Sequence, residues 1–392
     1  MTNQKDQPPL LQTKAWQTLQ KNLGEKTFFE ETDQYQFLAI KKNIPLGFYL
    51  YLPYGPYIKK TATQADIQKC IDHILKLASQ EDAIFIRIEP QRFSQENQKN
   101  TGKYTTNQKI SNVAQYFSLN QKHLLKTKDL NPAETWCLDL TQETTIILSN
   151  FAQGTRTRHN TYQKKGLTVE ITKNPEDIKY LVELQHQLAK EKHIASFSEK
   201  YLKTELSQPF ASLFLVRYHQ TPENQTKSQN EHAKNTSATN AKNALVENQN
   251  ENLKLKQKNN TQNNQTPKPK PKDNEVIAAS LFFDYQGTRY YMQSAASLKY
   301  RHLPATVALL SYAIFSGKES GLHTLDFWGI APEGAASSHP WYGFTEFKKS
   351  FGGYEKIYAG TYDYILNNSK YNLYRLLRKI NRLKRKIINT KD

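Results

Sequence analysis

The chain has 392 residues, a formal net charge of +18 and two cysteines, Cys70 and Cys137. This length suits two domains of ordinary size, each able to bury a core. Two cysteines give neither a disulfide framework nor a metal-ligand spacing, so we expect a reducing, cytoplasmic setting and no metal. The first residues lack the apolar core of a signal peptide, and no run of about 18 apolar residues predicts a membrane-spanning helix.

The positive charge is concentrated at the C-terminal end. Residues 370–392 contain nine lysines and arginines against one acid, Asp392. By contrast, residues 221–275 contain nine lysines against six acids. A strongly basic terminal segment indicates an anionic partner such as a nucleic acid or a membrane surface.

The first part of the chain alternates helical and strand patterns. A short helix is expected at 15–23, and an amphipathic one at 65–78, where apolar residues recur at helical spacing. Short apolar runs predict strands at 28–32, 35–41, 47–52, 83–89 and 134–140. The polar segment 93–112 is predicted to be a long loop.

The second part repeats this mixture. Apolar spacing predicts helices at 141–165, 175–191 and 370–388, and start or stop signals predict others at 198–206, at 303–317 and before Gly352-Gly353. Strands are expected at 167–171, 211–218, 324–330 and 357–365, with a hairpin of 276–285 and 288–297. Intermixed helices and strands, with a hairpin in each half, predict an α/β or α+β fold with mixed sheets in two domains of similar size.

Residues 221–275 interrupt this pattern. The segment contains thirteen Asn, six Gln and no aromatic residue. Because it cannot bury enough apolar surface to offset the entropy of ordering, we predict a disordered insertion. Its position between two strands indicates an inserted loop rather than a linker between domains.

Several motifs occur in the order found in a known family. They are Trp16 in the first helix, Gly55-Pro56, Arg87-Ile-Glu-Pro90, the basic helix 156–165, Tyr291-Met-Gln-Ser-Ala-Ala-Ser297, Leu325-Asp-Phe-Trp-Gly-Ile330, Phe347-Lys-Lys-Ser-Phe-Gly-Gly353 and Gly360-Thr-Tyr-Asp363. In this set the chain resembles the Fem (FemABX) family of peptidyltransferases. The resemblance covers nearly the whole chain outside 93–112 and 221–275.

The resemblance implies two tandem GNAT-like acyltransferase domains. The first would be 1–140 completed by 357–392, because the last strand and helix commonly return to the first domain in this fold. The second would be 141–220 with 276–356. Enzymes of this family take an amino acid from aminoacyl-tRNA and join it to the stem-peptide amine of a nucleotide-linked or lipid-linked peptidoglycan precursor. The resemblance thus implies these two partners and a role in cell-wall synthesis.

The residues fit a reaction without a covalent enzyme intermediate. An amine that attacks an activated ester needs positioning and stabilisation of the oxyanion, but no protein nucleophile. The chain has no G-x-S-x-G motif, no HExxH motif and no Cys/His set of credible spacing. The segment after the hairpin, 299–305, also lacks the glycine-rich loop that cradles the pyrophosphate of an acyl-CoA. We therefore expect no cofactor and a donor other than acyl-CoA.

Three candidate catalytic residues follow from the resemblance. Lys348, preceded by Phe347, matches the lysine that the family places at its active site. It would hold phosphate or stabilise developing negative charge, and a surface lysine is the alternative. Glu89 lies where the family has an acid at a strand end and would accept the proton of the amine. Alternatively, Glu89 forms an ion pair with Arg87.

Candidate substrate-binding residues come from the same comparison. Tyr291 and Tyr201 match positions where the family uses tyrosines to bind the precursor, although a structural role is also open. Gln293 replaces a second tyrosine of some members, and Lys21 lies next to the position of a binding lysine. Trp328, in the strand-end motif, completes the set. These departures leave open which precursor is bound.

Two basic helices are candidates for binding tRNA or another anion. Arg156 and Arg158 lie on the first, and Arg378 and Arg382 on the last. The last helix also has one apolar stripe: Leu373, Leu376, Leu377, Ile380, Leu383 and Ile387. This stripe would either dock the helix on the fold or rest on anionic lipid. A tRNA track and a peripheral membrane contact through 370–388 both stay open.

The leading hypothesis is a monomeric aminoacyl-tRNA-dependent transferase, cytoplasmic or peripheral at the inner face of the membrane. One alternative is a GNAT-like N-acyltransferase with another donor, and the glycine-free loop counts against CoA. The other is a non-catalytic basic protein that binds RNA or membranes. The retained Phe347, Lys348 and Glu89 count against this second alternative.

Overall fold

The computed structural model describes residues 7–90, 117, 124–192, 196–220 and 269–389. The predicted loop 93–112 and residues 221–268 of the predicted disordered insertion lie outside the described residues. Residues 269–275 of that predicted insertion are described, and a strand begins at Glu275.

Fourteen strands occur among the described residues. They are β1 (Thr27–Glu31), β2 (Tyr35–Ile44), β3 (Gly47–Leu52), β4 (Tyr57–Ile58), β5 (Phe85–Ile88), β6 (Leu124–Lys126), β7 (Glu134–Asp139), β8 (Leu167–Thr172), β9 (Ala211–Tyr218), β10 (Glu275–Tyr285), β11 (Thr288–Ala296), β12 (Thr324–Gly329), β13 (Tyr354–Ile357) and β14 (Tyr362–Ile365).

Nine α-helices occur in the same part of the chain. They are α1 (Lys14–Asn22), α2 (Gln64–Gln80), α3 (Thr144–Asn150), α4 (Gln153–Thr161), α5 (Ile178–Lys192), α6 (Glu199–Leu206), α7 (Ala305–Glu319), α8 (Tyr342–Lys349) and α9 (Asn368–Asn389). None of the described helices is long and apolar enough to cross a membrane.

The strands form two mixed sheets, which confirms the predicted fold class. The first sheet has the order β1-β2-β3-β5-β14-β6, with β4 paired to β2. Its β3 and β5 are parallel and its other pairs antiparallel. The second has the order β13-β7-β12-β11-β10-β9-β8, with β11 and β12 parallel.

Helices pack on both sheets. The capping box of Thr63 and Asp66 starts α2, which buries Ile67, Ile71 and Ile74 against the first sheet. The hydrophobic periodicity that predicted α2 is therefore the periodicity of its buried face. On the second sheet, α7 is buried along most of its length, together with parts of α3 and β12, and it is apolar on nearly all sides.

A third apolar cluster joins the two sheets. Trp16 of α1 packs on Phe283 of β10 with ring centroids 6.3 Å apart. Leu38 of β2 and Tyr54 belong to the same cluster as Leu181 of α5. This continuous core fixes one sheet against the other, so residues at their junction have defined positions.

The predicted strand 357–365 is wrong as a single element. It is two strands in different sheets: β13 ends at Ile357 in the second sheet, and β14 begins at Tyr362 in the first. Gly360, with φ of +82°, lies in the link between them. Glycine adopts this left-handed conformation without a steric cost, and the chain changes sheet across this link.

The domain boundaries remain a prediction, to which the strand pairing adds detail. Strand β14, inside the predicted completing segment 357–392, pairs in the first sheet. Strand β7, inside the predicted first domain 1–140, pairs instead with β12 and β13 of the second sheet.

A buried ion pair holds the returning strand in the first sheet. Arg87 and Asp363 are directly opposite each other in the register of β5 and β14. Nε and Nη2 of Arg87 donate to the two carboxylate oxygens of Asp363 at 2.6 and 2.8 Å. The hydroxyl of Tyr371 on α9 donates to the same carboxylate at 2.8 Å. One acid thus links two strands and the last helix.

We expect Asp363→Ala to lower the free energy of unfolding by about 3–5 kcal/mol, because it leaves the Arg87 guanidinium buried without its counter-ion. Urea unfolding followed by circular dichroism measures this. Glu31→Ala is the matched control, since it removes an exposed ion pair with Lys14 and should cost less than about 1 kcal/mol. Equal losses in the two variants would contradict the structural role of Asp363.

Candidate active site

The end of β12 forms an unusual turn at the junction of the sheets. Trp328 has a φ of +66°, a left-handed conformation that is strained for a bulky residue. Its backbone N–H donates to Oδ1 of Asp326 at 2.8 Å, and the pairing with β7 shifts register between Asp326 and Gly329. The buried Asp326 carboxylate thus holds the turn that exposes the Gly329 carbonyl.

Lys348 on α8 reaches the same turn. Its side chain is buried, and Nζ donates a hydrogen bond to the carbonyl of Gly329. Burial lowers the pKa of Lys348 to about 8, and the nearby Asp326 carboxylate opposes this shift. The surface-lysine alternative is therefore wrong. Near neutral pH this ammonium is charged, poorly hydrated and close to its titration point.

The Asp326 carboxylate interacts electrostatically with two lysines, Lys348 and Lys356. Burial raises the pKa of its carboxyl, while Lys356, the Trp328 N–H and Lys348 lower it. The hydroxyl of Thr135 donates to its second oxygen at 3.3 Å. Because both lysines favour the charged carboxylate, the three side chains form one electrostatic group at this turn.

Aromatic rings from both sheets surround the turn. Tyr54 stacks on Tyr358 with centroids 4.1 Å apart and meets Trp328 edge-on at 5.7 Å. Tyr290 approaches Trp328 from the other side at 6.3 Å, and Nζ of Lys356 lies 5.2 Å from the Tyr358 ring centre. Burial raises the pKa of Tyr358 to about 12, so it stays protonated near neutral pH.

Glu89 is completely buried at the end of β5 and accepts hydrogen bonds on both oxygens. Its donors among the described residues are the hydroxyl of Tyr51 at 2.8 Å, the N–H of Tyr54 at 3.3 Å, the N–H and side-chain amide of Asn131 at 3.0 and 2.7 Å, and the hydroxyl of Thr361 at 2.7 Å. The alternative ion pair with Arg87 is wrong, since Arg87 pairs with Asp363.

A second polar cluster combines two residues predicted from the sequence. The Tyr201 hydroxyl and the side-chain amide of Gln293 both hydrogen-bond to the Glu205 carboxyl, the amide at 3.2 Å. Burial raises the pKa of Glu205 to about 8, and these two hydrogen bonds oppose the rise. Burial also raises the pKa of Tyr201. The helix α6 carries Tyr201 and Glu205, and β11 carries Gln293.

Two further predicted residues have neighbours in the apolar core of the second sheet. The Tyr291 hydroxyl donates to Ser294 at 2.7 Å, and its ring lies 5.4 Å from that of Phe282. Phe347 packs edge-on against Phe351 at 5.4 Å. Both side chains are half-buried, and their proposed contacts with substrate stay predictions.

The predicted basic residues lie on three other helices. Lys21 is exposed in the last turn of α1. Arg156 and Arg158 lie on α4, whose start contacts the end of α8: the N–H of Ala152 donates to the Ser350 carbonyl at 2.8 Å. On α9, Arg378 donates to the Tyr374 hydroxyl at 3.3 Å, and Arg382 lies one turn further along.

The structure connects Lys348 and Glu89 through a short series of contacts. Lys348 bonds the carbonyl of Gly329, Trp328 precedes Gly329, and Tyr54 touches the Trp328 ring while its N–H bonds Glu89. The predicted residues Lys348, Trp328 and Glu89 therefore belong to one region between the sheets. Lys21, Arg378 and Arg382 lie on elements outside this series.

Several site residues were missed by sequence reasoning. Asp326 had a visible signal, since it is a lone carboxylate inside the apolar run Leu325-Asp-Phe-Trp328. Glu205, Tyr54 and Lys356 had none. Glu205 and Tyr54 acquire their roles from burial, and Lys356 from its proximity to Asp326 and Tyr358.

The arrangement suits stabilisation of negative charge. A buried ammonium at a fixed turn interacts strongly with an anion, because little water screens it. The exposed rings of Trp341, Tyr342 and Phe344 lie at the start of the helix that carries Lys348. Trp341 lies close to Gly329, where a Cβ would come within 3.4 Å of its ring. Cationic and aromatic groups thus share this surface.

Comparisons with known proteins agree with this architecture. A family model described as the FemAB family matches residues 1–379. The crystal structure of FemX superimposes with a TM-score of 0.66 at 20% identity, covering 93% of this chain and 94% of that one. The C-terminal domain of a putative lysylphosphatidylglycerol synthetase from Agrobacterium fabrum gives 0.51 at 10% identity, covering 92% and 90%. A tandem GNAT protein from the clavulanic acid biosynthesis pathway gives 0.44 at 9% identity, covering 86% and 82%. Comparison with curated proteins finds no match.

FemX matches the arrangement of two mixed sheets over nearly the full length of both chains. The family model includes every candidate site residue except Arg382. The resemblance noted from the strand-end and lysine motifs is thereby confirmed: the chain belongs to the FemAB family.

Proposed function

We propose that this protein is an aminoacyltransferase that joins an amino acid from aminoacyl-tRNA to the stem-peptide amine of a peptidoglycan precursor. Family membership supports a transferase acting in the formation of peptidoglycan interpeptide bridges. The observation that carries the proposal is the buried Lys348 ammonium beside the turn of Trp328 and Gly329. It supplies the positive charge that such a reaction needs.

In the proposed reaction the neutral amine of the precursor attacks the ester carbonyl of the aminoacyl group. A C–N bond forms and the carbonyl oxygen becomes an oxyanion, which a buried ammonium stabilises more strongly than water does. The C–O bond to the ribose then breaks, and the leaving hydroxyl takes up the proton that the amine has lost. No covalent bond to the protein is required.

The surface around α8 favours an RNA donor. Single-stranded nucleic acids bind through stacking on aromatic rings and through cations that follow the phosphates. Trp341, Tyr342 and Phe344 expose their rings on the helix that carries Lys348, and Arg158 lies on the neighbouring helix α4. The hydroxyls of Thr155 and Ser350, 2.8 Å apart, help to join the two helices.

The second polar cluster and the aromatic walls favour an acceptor between the sheets. Tyr201, Gln293 and the Glu205 carboxyl combine hydrogen-bonding groups with apolar surface, as small-molecule sites commonly do. Glu205, with a pKa of about 8, changes between a donor and an acceptor near neutral pH. The precursor amine and its neighbouring peptide groups would bind in this region.

Glu89 was predicted to accept the proton of the amine, but its geometry favours a positioning role. Its two oxygens already accept hydrogen bonds from Tyr51, Tyr54, Asn131 and Thr361. These partners belong to three separate segments. We therefore propose that Glu89 holds Tyr54, and through it Trp328, in place.

Lys348→Ala should lower the transfer rate by about 100-fold or more, because it removes the buried charge that stabilises the oxyanion. The assay combines purified protein with pools of charged tRNA and with nucleotide-linked or lipid-linked muropeptides. Mass spectrometry then detects the addition of one amino acid. Lys349→Ala is the control, since Lys349 is exposed, and its rate should stay within about threefold.

Two outcomes of this assay would contradict the proposal. Absence of product from the unmodified protein with every donor and both acceptors would exclude the reaction itself. Full activity of the Lys348→Ala variant would exclude the lysine as the electrostatic catalyst.

Asp326→Asn should lower the pKa of Lys348 from its value of about 8, because the carboxylate favours the charged ammonium. Because the proposed transfer requires the charged lysine, the alkaline limb of the pH–rate profile should move to lower pH. Titration of isotopically methylated lysines by NMR measures the pKa directly. Asp82→Asn alters an exposed carboxylate and should leave both readouts unchanged, whereas an unmoved limb in Asp326→Asn would argue against coupling.

Glu89→Gln should lower the free energy of unfolding by about 1–3 kcal/mol, since its NH₂ group would face hydrogen-bond donors in a buried site. Activity should fall with no change in the acidic limb of the pH profile. Urea unfolding and pH–rate measurements test this together. Loss of the acidic limb at unchanged stability would instead identify Glu89 as the proton acceptor.

A further inference from the structure

The last helix, α9, attaches to the protein by two tyrosines. Tyr371 and Tyr374 are buried, and their rings lie 5.1 and 5.4 Å from that of Phe85 on the first sheet. Tyr371 also bonds the Asp363 carboxylate. The aliphatic stripe that the sequence offered as a docking surface is therefore not the face that docks.

That stripe faces solvent instead. The exposed fractions are 45% for Leu373, 52% for Leu376, 39% for Ile380 and 51% for Leu383. At about 100° per residue, these side chains centre about half a turn from Tyr371 and Tyr374. The helix thus has an aromatic face on the protein and a separate aliphatic face that points away from it.

Basic residues occupy the rest of the helix surface. Lys370, Arg375 and Lys379 are exposed on the flanks between the two faces, and the exposed Arg378 lies beside Tyr374. The sequence from 368 to 389 contains eight lysines and arginines and no acid. An apolar strip bordered by cations, without acids, is the pattern of helices that lie in the plane of an anionic membrane surface.

We propose that α9 binds the surface of an anionic lipid bilayer, with the aliphatic face in the acyl boundary and the cations at the headgroups. An RNA ligand would use the cations but would leave the aliphatic face in water. Nucleic acids bind through phosphates and through stacking on aromatic rings, and the two α9 tyrosines are turned towards the protein. The aliphatic face therefore favours lipid over RNA.

The geometry of the anchor fits such a role. With 22 residues, α9 is about 33 Å long. Its two buried tyrosines lie in the first two turns, so the exposed aliphatic residues continue beyond the anchor. The protein would lie against the membrane along this helix without inserting another described element.

The test is flotation of the full chain with vesicles of phosphatidylcholine alone or of phosphatidylcholine with phosphatidylglycerol. Binding should be at least about tenfold tighter to the anionic vesicles and should weaken with salt. The double variant Leu376→Ser/Leu383→Ser should bind the anionic vesicles at least about tenfold more weakly, because it removes two apolar side chains from the membrane-facing side of the helix. In Arg375→Gln/Lys379→Gln, the affinity for anionic vesicles should fall about fivefold for each cation removed.

Ile171→Ser on β8 is the matched control, since Ile171 is also 45% exposed but lies on the second sheet. It should bind vesicles as the unmodified protein does, and all variants should keep their melting temperature. Equal binding to neutral and anionic vesicles, or normal binding by the leucine variant, would overturn the proposal. The proposal would also be overturned if the leucine variant changed tRNA affinity or oligomeric state and left vesicle binding unchanged.

The proposal can be tested independently of the proposed reaction, because flotation needs neither donor nor acceptor. Activity on a soluble, nucleotide-linked precursor should be unchanged in Leu376→Ser/Leu383→Ser. Vesicle binding by a protein that transfers no amino acid would leave the membrane surface established and the transfer reaction excluded.

Discussion

The Glu89 carboxylate is the interaction on which the geometry of the site depends. It lies where the chain passes between two sheets, and its hydrogen bonds join the loop of Tyr54, the loop of Asn131 and the link at Thr361. Tyr54 in turn packs on both Trp328 and Tyr358. A buried charge is costly without partners, so this carboxylate stabilises only the arrangement in which all three segments meet.

Lys348 is also a buried charged group, but it has far fewer hydrogen-bond partners than Glu89. Glu89 is surrounded by donors and is fixed, whereas Lys348 donates to a single carbonyl among the described residues and has a pKa lowered to about 8 by burial. An ammonium with unused hydrogen-bonding capacity can bind an incoming anion without first losing strong protein partners. The left-handed backbone of Trp328 and the burial of the Asp326 carboxylate both cost free energy near the Lys348 ammonium. Strained features of this kind are common at functional sites.

The sequence predicted the parts of the molecule that local pattern controls. Helices α2 and α5 follow from their apolar spacing, and the hairpin of β10 and β11 from the turn at Gly287. The predictions that were wrong concern contacts between residues that are far apart in the sequence. The alternative ion pair joined Arg87 to Glu89, two residues away, but the partner of Arg87 is Asp363, 276 residues away. The run 357–365 looked like one strand because apolar spacing does not reveal a change of sheet. Lys348 came from a family resemblance, while Glu205 and Asp326 acquire their properties from burial.

Strand β14 lies between the junction of the sheets and the last helix. Thr361, just before this strand, bonds Glu89, and Asp363 within it bonds Arg87 and Tyr371. This short segment therefore ties the candidate active site to the helix proposed to lie on the membrane. Because these bonds are short, buried and charge-assisted, the helix and the junction have a fixed relative position. A membrane-bound α9 would hold the site at a constant height above the bilayer, which suits an acceptor carried on a lipid.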